Sequence, residues 1–288
     1  MCKENLIVWK ACPSYNYYHV PTPFYHLSLA HEISEHPDLS SSLQILLQTH
    51  KGAFLLGNTA PDVQVLSGQT RRTTHFFSVP ARPRSQVPWQ RMLLEYPELN
   101  QPANLSPHNS AFIAGYLCHL QADWIWVLDI FQPIFGPDQI WETFTKRLYL
   151  HNVLRAYLDI KVIEVLPSDV PTQLRVAHPD QWLPFIQDKL LIKWRDFLCD
   201  QLQPGESIKT VDVFASRQGI DPEEFHSLLR SETQMEVNIF KHLTRQQLQI
   251  YRERLVAQSV GLLEDYQNNS ILSGISSRFS HYYDRRAL

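Results

Sequence analysis

The stretch Ala111-Phe-Ile-Ala-Gly-Tyr-Leu-Cys-His119-Leu-Gln-Ala-Asp123-Trp-Ile-Trp126 sets a histidine and an aspartate four residues apart in an apolar run. Residues at i and i+4 share one helix face, so the imidazole of His119 and the carboxylate of Asp123 point at one spot. Leu117, Leu120, Ile125 and Trp126 mark that helix as largely buried. An ionised carboxylate there is costly unless it is paired or bound to a cation. Upstream, His26, Asp62 and His75 supply groups of the same chemical type. Together the five form a nitrogen and oxygen ligand set suited to zinc.

The segments that must position them are helical. Almost every periodic stretch has the helical period and no convincing run of strands appears, so the expected architecture is all-α. A helix over 24–36 starts after Pro23 with Thr22 as its cap, and one over 39–56 ends at Gly57-Asn58. Residues 57–88 are rich in Gly, Pro, Ser, Thr and Arg and read as a long functional loop. Ser106-Pro107 opens the central helix, expected to reach Phe131 and stop before Pro133. Further helices are expected from Pro137 to Val165, from Gln181 to Leu202, briefly after Asp221-Pro222-Glu223, and from Glu232 to Tyr266. The organisation expected is an irregular extension (1–20), a ligand-bearing helical region (21–166) and a helical companion (167–288) packed on it as one structural unit. The polar tail from Ser277 to Leu288 is expected to fray.

Composition limits the function classes. With 288 residues, 44% hydrophobic and 19% charged, the chain can bury a sizeable core and is neither disordered nor fibrous. A net charge of −3 gives no basic excess for double-stranded nucleic acid. A nucleotide or phospholipid substrate stays open, because metal ions can supply positive charge locally. The four cysteines, Cys2, Cys12, Cys118 and Cys199, lie far apart without CxxC pairing, which argues against a disulfide scaffold and fits a reducing compartment. The N-terminal apolar run is short and broken by Lys10, and no stretch approaches the roughly 18 uncharged apolar residues of a membrane span. A cytoplasmic location is the expectation. There is no GxSxG elbow, Walker loop or GxGxxG. Oligomeric state is left open.

Taken one at a time, these residues have ordinary readings. His31, His36, His50, His178, His226 and His242 read as surface or packing residues. In series, four segments say more. Pro23-Phe-Tyr-His26-Leu, Ala60-Pro-Asp62, Thr74-His75-Phe76 and the Gly-Tyr-x-x-His-x-x-x-Asp pattern from Gly115 to Asp123 resemble, in order and spacing, the zinc-dependent phospholipase C family. The resemblance covers roughly residues 21–160 and implies an all-helical bundle, shared with the fungal single-strand nucleases.

The resemblance also implies roles. Asp62, His75, His119 and Asp123 would close a four-coordinate zinc site, Asp123 would bridge to a second ion, and His26 would bind that ion. One to three zinc ions are implied, two above all. Two ions about 3.5–4 Å apart suit hydrolysis of a phosphate ester by metal-activated water, with Asp62 orienting or deprotonating the water. The substrate expected is a small phosphate ester or a phospholipid.

Departures are visible too. Secreted members complete the second site with a processed N-terminal tryptophan, whereas twenty-five residues precede His26 here. A third family site uses two histidines and a glutamate; here the candidates are Asp129, His151 and Asp159, and Arg155 stands where the glutamate would be. Arg155 could instead grip a substrate phosphate with its bidentate fork. Arg71 and Arg72 either guide a phosphate or form a solvated turn. Trp124, Trp126 and Trp141 are expected in the core rather than along a substrate groove. The main functional expectation is a zinc-dependent phosphoesterase. A nuclease or nucleotidase on the same scaffold and a non-catalytic zinc-binding interaction protein are the rivals.

Overall fold

Ser106 accepts a hydrogen bond from the Asn109 amide at 3.2 Å and Pro107 occupies the first turn, so helix α7 (Pro107–Trp126) starts where its caps dictate. In the computed structural model, which describes residues 20–81, 86–203 and 205–272, α7 runs through the core. All of its residues from Ser110 to Trp126 are buried. It is preceded by α1 (Pro23–Ser34), α2 (Ser41–Thr49), α3 (Lys51–Gly57), α4 (Gln64–Ser67), α5 (Arg71–His75) and α6 (Pro88–Glu95). It is followed by α8 (Phe144–Ile163), α9 (Val170–Arg175), α10 (Asp188–Gln201), α11 (Thr210–Gln218), α12 (Pro222–Leu229), α13 (Glu232–Met235) and α14 (Arg245–Gln267). No strand occurs among the described residues, and the all-α expectation holds. The expected extension, apart from Val20, and the expected frayed tail lie outside the described residues.

The tightest helix pair is α3 against α7, and two glycines make it so. A Cβ on Gly57 would meet the Phe112 carbonyl oxygen at 2.0 Å, and one on Gly115 would meet that of Phe54 at 2.2 Å. Only the missing side chains let the two backbones approach this closely. Along its length α7 also receives α14, with the Tyr251 hydroxyl donating to the Ala122 carbonyl at 3.3 Å. α14 thus covers part of α7 beside its metal-type residues. Arg252 of α14 ties the same helix to α1 through Glu32 and the Ser28 hydroxyl, both at 2.7 Å.

Several boundaries differ from those expected. The helix over 39–56 is broken at His50, whose backbone leaves the helical region, into α2 and α3. The long loop after Gly57 contains a 3-10 turn (Ala60–Val63), α4 and α5, ended by left-handed Gly68 and Phe76. α7 continues through Pro133 as a π-helix over Val127–Phe135, whose wider turn carries the chain past a residue that breaks an α-helix. The next helix begins at Phe144 rather than near Pro137. Arg147 binds the carbonyls of Phe135, Gly136 and Pro137, which holds that segment out of the helix. The helix expected from Gln181 starts at Asp188, whose carboxylate accepts the Gln181 amide at 2.8 Å. Finally, the stretch from Glu232 is interrupted, and α14 restarts at a capping box between Thr244 and Gln247.

The segment Pro107–Phe135 is long and apolar enough to cross a bilayer by length and composition, although the sequence reading counted no such span. Its most apolar window is 94% buried within the protein. Its apolarity therefore belongs to the core.

Candidate metal centre

α7 carries Tyr116, His119 and Asp123 on one face. The Tyr116 hydroxyl donates to the Thr74 carbonyl at 2.6 Å and so pins the end of α5, where His75 sits. Phe76, at φ 61°, ends α5 immediately afterwards in a left-handed conformation. α1 brings His26 flat against His119, with ring centroids 3.8 Å apart and planes inclined by 19°. The 3-10 turn supplies Asp62. All five residues are buried.

The nitrogens that face the centre are identified by the partners of the ones that do not. His119 Nδ1 lies 2.7 Å from the Asn58 carbonyl oxygen. A carbonyl only accepts, so Nδ1 carries the hydrogen and Nε2 presents its lone pair. His75 Nδ1 lies 2.9 Å from the Thr74 hydroxyl, again leaving Nε2 toward the centre. His75 Nε2 is 3.3 Å from His119 Nε2, 3.3 Å from Asp123 Oδ2 and 3.4 Å from Asp62 Oδ1, and His119 Nε2 is 3.5 Å from Asp123 Oδ2. Ligand atoms about 2.0–2.1 Å from a tetrahedral zinc stand about 3.3–3.4 Å from one another. Two ring nitrogens and two carboxylate oxygens converge at that spacing, with Arg71 alongside one of the oxygens, and a cation among them would be shared by all four. The donor set fits zinc.

Asp123 faces two ways. Its Oδ2 belongs to the group just described, while Oδ1 is 3.2 Å from His26 Nε2. Neither Oδ1 nor either ring nitrogen of His26 has a hydrogen-bond partner, although all are buried. Buried polar atoms are almost always satisfied, so this edge is a second place for a cation. Among the described residues, two groups of three close donors occur: His26, His119 and Asp123, and Asp62, His75 and His119.

Ionisation favours ligation. Burial first, then the Arg71 charge, pushes His75 down to about 3. His26 is lowered by burial and by His119. Burial also acts to lower His119, but the attraction of Asp123 outweighs it and raises the group. For both acids burial pushes upward and is overcome: by His75 and His119 at Asp62, and by His119 and Arg71 at Asp123. Charged carboxylates beside neutral His26 and His75 are the protonation states a metal requires, and His119, which Asp123 holds toward its charged form, gives up that proton when a cation binds.

The arginines divide. Arg71 Nη2 donates to Asp123 Oδ2 at 2.5 Å, and its guanidinium lies 5.0 Å from the Phe77 ring centroid. Its Nε and Nη1 are buried without a hydrogen-bond partner. Arg72 is exposed. Arg155 is buried on α8, bonded to Asn152 at 3.0 Å and lying over the Phe214 ring at 4.4 Å. Burial lowers it to about 9.

The residues suggested for a third ion are not brought together. His151 Nε2 accepts from Trp126 Nε1 at 3.0 Å, Asp129 pairs with Arg254, and Asp159 accepts the hydroxyls of Thr22 and, at 2.5 Å, Thr210. Trp124 and Trp126 are core residues, and Trp141 stacks on His242 at 3.7 Å. Cys118 and Cys199 are free thiols.

Asp62 has a second exposure. It lines a cleft whose walls include Phe24, Arg155, Trp194, Lys209, Phe214 and Arg217. Sequence reasoning passed over Lys209 and Arg217, and over the groups that aim the imidazoles, the Asn58 carbonyl and the Thr74 hydroxyl. Thr74 belongs to a recognised motif and Asn58 lies two residues before another, which was the available signal. Lys209 and Arg217 carry none.

Residues 23–126 match the family model of zinc-dependent phospholipase C. No curated protein and no solved structure matches the chain significantly. The family match and the two histidine–aspartate clusters together support a zinc-dependent hydrolase.

Proposed function

We propose, with the zinc-dependent phospholipase C match over residues 23–126 as premise, that the protein hydrolyses phosphate esters at a two-cation centre. One observation carries this reading: Asp62 belongs both to the ligand cluster and to an open cleft. The edge formed by His26 and Asp123 Oδ1 leaves positions for water and substrate on a second ion, whereas a structural zinc site is closed by its protein ligands. Zinc bound there would supply an activated water and neutralise phosphoryl charge.

The chain's own groups have separable tasks. His75 and His119 are held by Thr74 and by the Asn58 carbonyl, so their lone pairs stay aimed. Asp62, on the cleft side, is the group positioned to hold the proton of an incoming water. The two unbonded nitrogens of Arg71 are donors for phosphoryl oxygens. The aromatic wall suits an acyl, aryl or nucleobase substituent, so phospholipid and nucleotide substrates fit the same chemistry.

The test is hydrolysis of bis(p-nitrophenyl) phosphate and p-nitrophenyl phosphate by protein purified without chelator. Chelation should abolish turnover and zinc should restore it. Asp62→Asn should lower kcat by at least about a hundredfold, the usual scale for a lost general base, while exposed Arg72→Gln should change it little. Tightly bound zinc without turnover on these esters, phospholipids, nucleotides or single-stranded nucleic acid would leave the non-catalytic reading.

A further inference from the structure

The cleft that opens onto Asp62 is built from both halves of the chain. α11 contributes Thr210, Val213, Phe214 and Arg217, a spacing that lays one helix face along it. α10 adds Trp194, Phe197, Leu198 and Gln201; α8 adds Arg155; Lys209 stands at the start of α11. Two properties coexist in this lining. Its walls are apolar and aromatic, and it holds three basic side chains against one acid. That acid, Asp62, is already engaged with His75.

Like charges gather at a concave surface against their mutual repulsion, and low-dielectric walls strengthen the field they make. Burial acts most strongly against the Arg155 charge, Asp62 and Asp159 support it, and Arg217 is close enough to oppose it. Arg155 is only 4% exposed, and the Phe214 ring flanks its guanidinium, so its direction is fixed. Lys209 is exposed at the rim. Such a wall recognises an anion on an apolar body, and would repel a cationic head group.

We propose that this cleft selects phosphate esters carrying a second negative group, a further phosphate or a carboxylate, on a hydrophobic scaffold. The inference rests on the hydrolase reading above. Arg71 beside Asp123 takes the phosphoryl group to be cleaved, and Arg155, Lys209 and Arg217 take the second anion. The apolar wall holds the scaffold between them.

Binding to the chelated protein isolates the basic wall from any metal. Calorimetric titration would use phenyl phosphate, inorganic phosphate and phenyltrimethylammonium, the last presenting the same ring with the opposite charge. Phenyl phosphate should bind in the absence of metal, more tightly than inorganic phosphate and more weakly as salt rises. Phenyltrimethylammonium should not bind. K209Q/R217Q should weaken phenyl phosphate at least tenfold. Should that double variant unfold early, Lys209→Gln alone, at an exposed position, must still weaken it at least threefold. Failure of the chelated protein to bind phenyl phosphate, unchanged affinity in the variants, or preference for the cationic ring would overturn the proposal. These outcomes do not depend on turnover. Absent hydrolysis with intact binding counts against the hydrolase reading instead.

Discussion

Two sets of buried histidines and aspartates lie in this protein, and they have opposite fates. His26, Asp62, His75, His119 and Asp123 turn their ligand atoms toward one another at 3.2–3.5 Å. His151 and Asp159 are just as buried, yet His151 Nε2 accepts from the Trp126 indole and Asp159 accepts two threonine hydroxyls. Residue type and burial are the same in the two sets. What differs is convergence: the first set's ligand atoms face one another, with Arg71 alongside Asp123 Oδ2, whereas those of the second set face separate protein donors.

The sharpest way to break this comparison is to remove one member from each set. Asp123→Asn should lower zinc affinity by more than the roughly 10–100-fold that outer-shell changes produce, because Asp123 faces both donor groups. His151→Ala should leave zinc affinity unchanged and act on stability only. Competition against a calibrated zinc chelator measures both. Equal losses would erase the distinction.

The second set has its own pH signature. Burial raises Asp159 from 3.8 to about 6, with the threonine hydroxyls opposing. The folded state thus holds this proton more tightly than the unfolded chain. The associated stability is complete below about pH 4 and is lost as pH rises through about 6, by about 3 kcal/mol in all. Asp159→Asn, which keeps an acceptor for one threonine and a donor for the other, should remove this part of the pH dependence. Urea unfolding at pH 4.5 and pH 8 reads it. An unchanged difference between the two pH values in the variant would contradict the assignment.

The smallest effect concerns how the first set is aimed. Thr74→Val removes the hydroxyl beside His75 Nδ1 while preserving shape, and should weaken zinc about tenfold. The fold should survive, because the Thr74 backbone carbonyl still receives Tyr116. Unaltered affinity would mean that packing alone orients the ring.

These contrasts also explain what could be read from the chain and what could not. The helical period and the caps at Ser106 and Pro107 made α7 legible, and each of the five donors sits in a short local motif. The breaks at His50 and at 241–244 were not legible, because they depend on backbone geometry and capping rather than hydrophobic period. The start of α8 was missed because Arg147 reaches back to three carbonyls, a contact with no sequence signature. Asp129, His151 and Asp159 had the right types, but their partners, Arg254, Trp126, Thr22 and Thr210, are set by tertiary packing. For the same reason the basic wall was invisible apart from Arg155. Lys209 and Arg217 meet the cleft only because α11 packs beside α8.

The most direct measurement is an anomalous difference map at the zinc edge from crystals of the zinc-loaded protein. The account predicts its strongest peak among Asp62, His75, His119 and Asp123 Oδ2, a second beside His26 and Asp123 Oδ1, and none at His151 or Asp159. A peak at His151 or Asp159, or none within the first set, would contradict it.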